Sequence, residues 1–288
     1  LSLLTNDEVL EVDQDPLGDP PGTAALPRVQ LAALPTPLEE LDAHAAGINT
    51  ARLRVKRDDL TSPVYGGNKV RKLEFLLGRA LAEERRAVIT FGAYGSNHAL
   101  ATAVHARACG LEPHAVLSPQ APGPFARATL LAHAGLGTHL HPVEGWDGSR
   151  EAVRVRAFLR ARDGIDPLVI PMGGTNAVGA TGYVNAALEM VDAVTGGGAP
   201  DVVYVAAGTL GTAVGLAIGF AAAGAPTRVA AVRVTPGEVA NTAFARELAT
   251  ATVAHLRALD DGFPALDFDD LALDLRDDWF EPGYGVVT

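Results

Sequence analysis

Cysteine and lysine are scarce in this sequence of 288 residues, and aromatic residues make up only 6% of it. The single cysteine, Cys109, excludes an internal disulfide and fits a reducing cytoplasm. No apolar run reaches the roughly 18 residues of a membrane-spanning helix, so no membrane segment is predicted. The net charge of −11 is unfavourable for nucleic-acid binding, because phosphates normally require a basic surface.

Positive charge is carried almost entirely by arginine, with 20 Arg and 3 Lys. The three lysines are Lys56, Lys69 and Lys72. An arginine guanidinium stays charged, whereas a lysine amine can lose its proton and act as a nucleophile. The lysines are therefore candidates for amine chemistry.

After a Pro-rich start of about 35 residues, which is typical of a linker, short β-branched runs alternate with helical patterns. One helical face is predicted by Leu73, Leu76, Leu77, Ala80 and Leu81. Strands are predicted at 52–57, 87–91, 113–117, 139–143, 168–171, 201–206 and 228–234. This alternation indicates an α/β fold with parallel sheets and helices on both faces. The acidic segment 260–281 is expected to be a solvated surface excursion.

The stretch GGNKVRKLEF, residues 66–75, places Lys69 at the start of the predicted helix. Two glycines permit a tight turn or the close approach of a ligand. The positive end of the helix dipole disfavours a charged amine and so favours a nucleophilic one. A solvated turn followed by a basic first helical turn is the alternative interpretation.

The stretch FGAYGSNHAL, residues 91–100, ends one predicted strand and opens a helix. Ligands of parallel α/β sheets bind at the carboxyl ends of strands. Ser96, Asn97 and His98 offer a hydroxyl, an amide and an imidazole to a carboxylate or an oxyanion. An ordinary helix N-cap by Ser96 or Asn97 explains the pattern equally well.

The stretch AAGTLGTAVGLAIG, residues 206–219, comes after another predicted strand. Gly208 and Gly211 let backbone N–H groups converge on an anion, and Thr209 and Thr212 add hydroxyl donors. The helix behind them is apolar on all sides and is predicted to be buried. The spacing matches neither a dinucleotide fingerprint nor a P-loop, so a phosphate cradle is favoured over a plain tight turn.

Two weaker patterns remain. His139 and His141 lie on one face of a predicted strand, but a metal site needs a third ligand, which the sequence does not identify. The stretch GGTNAVGATGYV, residues 173–184, is either another wall of the same site or a helix start capped by Thr175 or Asn176.

Together the loops resemble those of pyridoxal-phosphate (PLP) enzymes in the D-cysteine desulfhydrase and aminocyclopropane-carboxylate deaminase branch of the tryptophan-synthase-β-like superfamily. GGNKVRKLEF resembles the cofactor-lysine motif, GSNH the substrate loop and AAGTLGT the phosphate loop. The resemblance runs from about Val29 to the end. GGTNAVGATGYVNAALEM is more similar to the desulfhydrase pattern, and KRDDLTSPVYGGNK lacks the longer insertion of the deaminases.

The resemblance implies a fold-type II PLP enzyme that acts on a small amino acid as a homodimer. A small domain, residues 71–168, would be inserted in a large PLP-binding domain of residues 29–70 and 169–288. Residues 1–28 would be a leader outside both domains. Its stretch LSLLTNDEVLEVDQDPLG resembles part of the family-27 α-galactosidases but holds no catalytic pair from that family.

The resemblance also implies a role for individual residues. Lys69 would form the internal Schiff base and take the α-proton of the substrate. Asn97 would hydrogen-bond the ring hydroxyl, and Ser96 would bind the substrate carboxylate or, in deaminases, help to move a proton. His98 would complete the substrate loop, and Tyr284 matches an active-site tyrosine. The phosphate would be held by Gly208, Thr209, Leu210, Gly211 and Thr212.

Two departures from the family pattern affect these expectations. Tyr94 and Gly95 stand where the family has a Gln before the Ser-Asn pair, which leaves the substrate open. The chain ends at Thr288, whereas family members continue with a second tyrosine and the partner of the pyridine nitrogen. We therefore expect part of the large domain to be missing and the chain to be less stable and weakly active or inactive.

The sequence thus predicts a cytoplasmic, PLP-dependent lyase or deaminase with no metal, nucleic-acid or membrane partner. D-cysteine is the favoured substrate, and aminocyclopropane carboxylate is the second. The rival hypothesis is a truncated PLP-binding protein without catalytic activity. A glycosidase fragment, the third hypothesis, would require paired catalytic carboxylates, which the leader does not supply.

Overall fold

The computed structural model describes residues 26–42, 47, 52–145, 147–164, 166–193, 199–278 and 280. Contacts within the chain divide it into two compact units. In the described part, the first unit comprises Leu26–Leu31 and Leu73–Gly174, and the second comprises Ala32–Lys72 and the chain from Thr175 onward. The expected large and small domains, with their boundaries after residues 70 and 168, stay a prediction.

The described residues form nine strands, seven α-helices and three short 3-10 helices. The strands are β1 (Leu38–Leu41), β2 (Leu53–Lys56), β3 (Ala87–Ala93), β4 (Glu112–Ser118), β5 (His139–Pro142), β6 (Leu168–Ile170), β7 (Val202–Ala207), β8 (Arg228–Arg233) and β9 (Leu273–Arg276). The helices are α1 (Val70–Ala82), α2 (Asn97–Ala108), α3 (Pro124–Gly135), α4 (Ser149–Asp163), α5 (Ala177–Ala193), α6 (Gly211–Ala222) and α7 (Thr242–Leu259). All seven predicted strands form, and the predicted amphipathic helix is α1.

The first unit is built on a four-stranded parallel sheet in the order β5-β4-β3-β6. On one face, Val116 of β4 packs against Val155 and Leu159 of α4. On the other face, Ala115 and Leu117, two residues apart on β4, pack against Ala99 of α2. Successive side chains of a strand point to opposite faces, so this alternation lets helices cover both sides of the sheet.

The second unit contains a three-stranded parallel sheet in the order β7-β8-β9, with helices α5, α6 and α7 in the same apolar core. Every residue of α6 from Gly211 to Phe220 is buried, as the apolar sequence predicts. Gly215 and Gly219 set the distance between α6 and α5. An added Cβ at either position would lie 2.5 Å from a carbonyl oxygen of α5, that of Ala180 or of Val184.

Two strands differ from the sequence-based expectation. β2 pairs antiparallel with β1 in a separate two-stranded sheet. Parallel neighbours require a crossover of about a dozen residues or more, usually through a helix, and the short connection here favours the antiparallel pairing. The acidic segment 260–281 is not merely a surface excursion, because it contains β9, which pairs in parallel with β8.

The helices of the described part are all too short or too polar to cross a membrane.

Candidate active site

Lys69 reaches the site from a turn that requires glycine. An added Cβ at Gly66 would lie 2.0 Å from the carbonyl oxygen of Asp59, a separation that no packing tolerates. Gly67 has a φ of +117°, which side chains other than hydrogen rarely permit. The Gly-Gly pair therefore brings the chain close to its own backbone and delivers Lys69 directly before α1.

The Lys69 amine is oriented by its neighbour in sequence. Its Nζ donates a hydrogen bond of 2.7 Å to Oδ1 of Asn68. Asn68 in turn donates from Nδ2 to Oγ1 of Thr212, 3.2 Å away, at the start of α6. Desolvation by burial lowers the pKa of Lys69 to about 8, so roughly a tenth of the amine is neutral at pH 7, far more than for an ordinary lysine. A neutral lysine amine can act as a nucleophile or a base.

The loop between β7 and α6 is held in a strained conformation. Leu210, its last residue, is left-handed with a φ of +61°, and its apolar side chain cannot cap the helix. Such a conformation costs on the order of 1 kcal/mol or more in a residue other than glycine, and it is found at ligand-binding sites. Thr235 stabilises the loop by donating from Oγ1 to the carbonyl oxygen of Gly208 at 2.6 Å.

The space beside Gly211 is bounded by polar groups. An added Cβ there would lie 2.7 Å from Nζ of Lys72 and 2.8 Å from Oγ1 of Thr175. The Thr175 hydroxyl is also 2.6 Å from the hydroxyl of Thr209. An amine, two hydroxyls and a helix N-terminus thus converge, which is the donor set that a phosphate monoester requires.

Lys72 and Thr175 were not among the residues predicted for the phosphate. Lys72 is fully buried, and its pKa is lowered well below the ordinary value by desolvation and then by the charge of Lys69. An anion at Gly211 would favour the charged form of this amine. Lys69 and Lys72 are three residues apart, a spacing that puts two side chains on the same side of a helical turn. This spacing was the sequence signal that could have placed Lys72 in the same site as Lys69.

The Ser-Asn-His loop belongs to the first unit, and the side chains of Ser96 and His98 contact residues of the same unit. Ser96 caps α2 by accepting a hydrogen bond at Oγ from the backbone N–H of Ala99 at 3.2 Å. His98 is buried, with Nε2 2.9 Å from Oγ1 of Thr90. Asn97 is exposed as the first residue of α2. The substrate and ring-hydroxyl roles of the three residues stay predictions.

The start of α5 combines both interpretations of its glycine loop. Asn176 accepts a hydrogen bond at Oδ1 from the N–H of Gly179 at 2.8 Å and so caps the helix. Its neighbour Thr175 instead lies beside Gly211. Tyr284 and the leader up to residue 25 lie outside the described residues.

A buried ion cluster lies next to this site in the second unit. Arg71, which is 1% exposed, donates to Asp58 at 2.9 Å and to Glu189 at 2.7 Å. Tyr183 donates its hydroxyl to Oδ2 of Asp58 at 2.6 Å. Lys56 also pairs with Glu189, which gives this lysine a structural partner rather than a chemical role. The cluster fixes the first turn of α1, from which Lys72 projects.

This fold and this site define a class of protein: an α/β enzyme that holds a phosphorylated cofactor and reacts through a lysine amine. Residues 29–287 match the family described as pyridoxal-phosphate dependent enzyme. The chain belongs to that family, in the group of aminocyclopropane-carboxylate (ACC) deaminases and D-cysteine desulfhydrases.

Relatives support this placement at the level of sequence and structure. The chain is 42% identical over 214 residues to nocardicin C-9′ epimerase of Nocardia uniformis subsp. tsuyamanensis, a match that covers 73% of this chain and 64% of the epimerase. It is 34% identical over 266 residues to D-cysteine desulfhydrase of Klebsiella pneumoniae (strain 342), covering 90% and 77% of the two chains.

The crystal structure of an ACC deaminase homologue superposes with a TM-score of 0.76 at 30% identity, over 93% of this chain and 78% of the other. The expected fold-type II α/β class and the expected PLP cofactor are thereby confirmed.

Proposed function

We propose that this chain is a PLP-dependent lyase that acts on D-cysteine and releases pyruvate, ammonia and sulfide. The observation that carries the proposal is the pairing of a Lys69 amine of lowered pKa with the polar cradle at Gly211. The similarity to D-cysteine desulfhydrase over 90% of the chain supports the choice of substrate. We also propose that the protein works in the cytoplasm as a homodimer.

PLP, when bound, supplies an electron sink for the bond that breaks at the α-carbon of the substrate. Lys72, Thr175 and Thr209 would hold its phosphate, and Gly211 leaves the room that the phosphate needs. Lys69 would hold the cofactor covalently and then take the α-proton from the substrate at Nζ. Asn68, which already accepts a hydrogen bond from this amine, would keep it in position.

Epimerisation at the α-carbon is the second candidate function. The identity of 42% to an epimerase favours it, although that match leaves about a third of the epimerase uncovered. Both reactions begin with removal of the α-proton, so Lys69 serves either one. They differ in the second step, because epimerisation returns a proton to the opposite face of the α-carbon, whereas elimination expels the thiol.

One experiment separates the candidates. The PLP-loaded protein is incubated in D₂O with D-cysteine and, separately, with ACC, while pyruvate or 2-oxobutyrate, α-deuterium and the L-enantiomer of cysteine are measured. Pyruvate and sulfide release supports the desulfhydrase. Deuterated L-cysteine without pyruvate overturns it in favour of an epimerase, and 2-oxobutyrate from ACC alone favours the deaminase. Binding of PLP without any exchange or product would show the catalytically inactive protein, and Lys69→Ala is the blank.

A further inference from the structure

A histidine cluster outside the described lysine site lies at one end of strands β4 and β5. The cluster consists of Glu112, His114, His139 and His141, with Glu151 of α4 beside it. His114 and His139 are direct cross-strand partners, and their rings stack with centroids 4.6 Å apart. The sequence had suggested His139 and His141 as a possible pair of metal ligands, and the sheet register adds the ligands that were missing.

Three ligand atoms of this cluster lie close together. His114 Nε2 lies 3.2 Å, and His139 Nε2 2.9 Å, from the same carboxylate oxygen, Oε1 of Glu112. The three ligand atoms all lie within 4.8 Å of one another. Two imidazole nitrogens and one carboxylate oxygen form a common donor set for zinc, with the fourth position left to water.

A series of polar contacts lies behind His114. His141 Nδ1 lies 3.4 Å from a carboxylate oxygen of Glu151, and His141 Nε2 lies 3.0 Å from Nδ1 of His114. When the proton of His141 is on Nδ1, its Nε2 accepts a hydrogen bond from Nδ1 of His114, and the lone pair of His114 Nε2 then faces Glu112. A cation between His114 Nε2 and the Glu112 carboxylate would select this tautomer.

We propose that Glu112, His114 and His139 bind one divalent transition-metal ion of the zinc type, with His141 and Glu151 orienting His114. A ligating histidine usually donates its other ring N–H to a carboxylate, a backbone carbonyl or water; here His141, with Glu151 behind it, takes that position. His139 is 51% exposed, so its ring can shift to a bonding distance without disturbing the core. Arg162 donates to both carboxylate oxygens of Glu112. When a metal ion binds at Oε1, the contact of Arg162 with Oε1 is lost and its contact with Oε2 can remain.

The test uses the full, PLP-loaded chain, freed of metal with a chelator and equilibrated with micromolar zinc alone. We expect one zinc ion per chain by elemental analysis. Glu151→Gln, which acts through His141, should weaken zinc binding about 10- to 100-fold. His139→Asn and Glu112→Gln should each weaken it more, because each removes a ligand. Cobalt bound in place of zinc should give the visible bands of a four-coordinate site.

Two controls address other ligands in the chain. Cys109→Ser removes the only thiol, and His255→Asn removes a histidine of α7, outside the cluster; both should keep the bound zinc. Folding of each variant is checked by circular dichroism. His139→Asn is expected to disturb the fold least, because the His139 side chain is half exposed. The proposal is overturned if the parent chain binds no zinc, or if His139→Asn and Glu112→Gln retain its full affinity.

Discussion

Lys69 and Lys72 are two lysines of one helical turn that the structure places in different surroundings. Lys69 as a whole residue is partly exposed, but its amine is desolvated and contacts the Asn68 side chain. Lys72 is fully buried, with its amine beside Gly211 and 6.0 Å from the centre of the Tyr183 ring. We therefore propose that Lys69 forms the covalent link with PLP and that Lys72 contacts the phosphate.

Substitution of the two lysines should separate these roles. Lys69→Arg should abolish the link that borohydride traps between protein and PLP, because a guanidinium does not form it. Lys72→Gln should retain the link but weaken PLP binding about 10- to 100-fold, since it removes a charged hydrogen bond to phosphate of about 1.5–3 kcal/mol. Peptide mass spectrometry and absorbance titration measure the two effects. A trapped link at Lys72 would reverse the assignment.

The lowered pKa of Lys69 predicts a pH dependence. Only the neutral amine attacks an aldehyde, and an ordinary lysine becomes neutral near pH 10.4. With its pKa lowered to about 8, Lys69 should react with pyridoxal at a rate that rises with pH and levels off above about pH 8. Stopped-flow absorbance with pyridoxal, which carries no phosphate to titrate, measures the rate. A midpoint near pH 10 would mean that the amine is solvated.

At the scale of elements, the proposed phosphate site between β7 and α6 depends on one glycine. Gly211→Ala should push the Lys72 amine away and fill the phosphate space, because the new Cβ would lie 2.7 Å from Nζ. We expect a loss of PLP affinity of tenfold or more, measured by absorbance titration. Gly135→Ala, in α3 and outside the phosphate loop, is the control, since its Cβ meets no atom within 4 Å, and it should retain the affinity.

The contact between α5 and α6 reverses the ordinary effect of glycine in a helix. Glycine to alanine in a helix interior usually stabilises by about 0.5–1 kcal/mol. Gly215→Ala should instead lower the free energy of unfolding by about 1–3 kcal/mol, because its Cβ would lie 2.5 Å from a backbone oxygen of Ala180. Gly135→Ala, in α3 with open space around it, should be neutral or stabilising. Urea denaturation compares the two, and equal effects would contradict the packing argument.

At the scale of the whole molecule, residues far apart in sequence meet at Arg71. Its partners Thr36, Asp58 and Glu189 come from the segment before β1, the segment after β2 and α5. Burial by itself would raise the pKa of Glu189, but Arg71 and Lys56 outweigh it and lower that pKa. The contribution of Glu189 to stability is therefore present above its unfolded pKa and is lost as the pH falls.

Loss of the Arg71 charge should destabilise the protein strongly. Arg71→Met leaves Asp58 and Glu189 without their main buried partner, for which we expect a loss of about 3–5 kcal/mol in the free energy of unfolding. Arg79→Met, on the same helix, removes the ion pair between Glu83 and Arg79, whose side chain is 46% exposed. It should lower the free energy of unfolding by less than about 1 kcal/mol. Chemical denaturation at neutral pH measures both. Similar losses of unfolding free energy in the two variants would show that burial does not determine how much an ion pair contributes to stability.

Much of the secondary structure was predictable because its signals are local. The seven predicted strands were deduced from β-branched runs and α1 from its helical periodicity, and Leu73 and Leu77 are buried on the predicted face. β9 was missed because its Leu and Asp residues resemble a polar surface segment, and its strand conformation depends on pairing with β8. Propensity is a weak guide where a neighbouring strand decides the structure.

The sequence by itself determined the parallel α/β class, the turn that places Lys69 and the glycine loop that precedes α6. These features depend on spacing and on glycine within a few residues, so they can be read along the chain. Only the tertiary structure decided that Lys72 and Thr175 meet at Gly211, and that Glu112 and His114 lie beside His139. Such contacts depend on strand register and on helix packing between distant segments, and local patterns do not encode them.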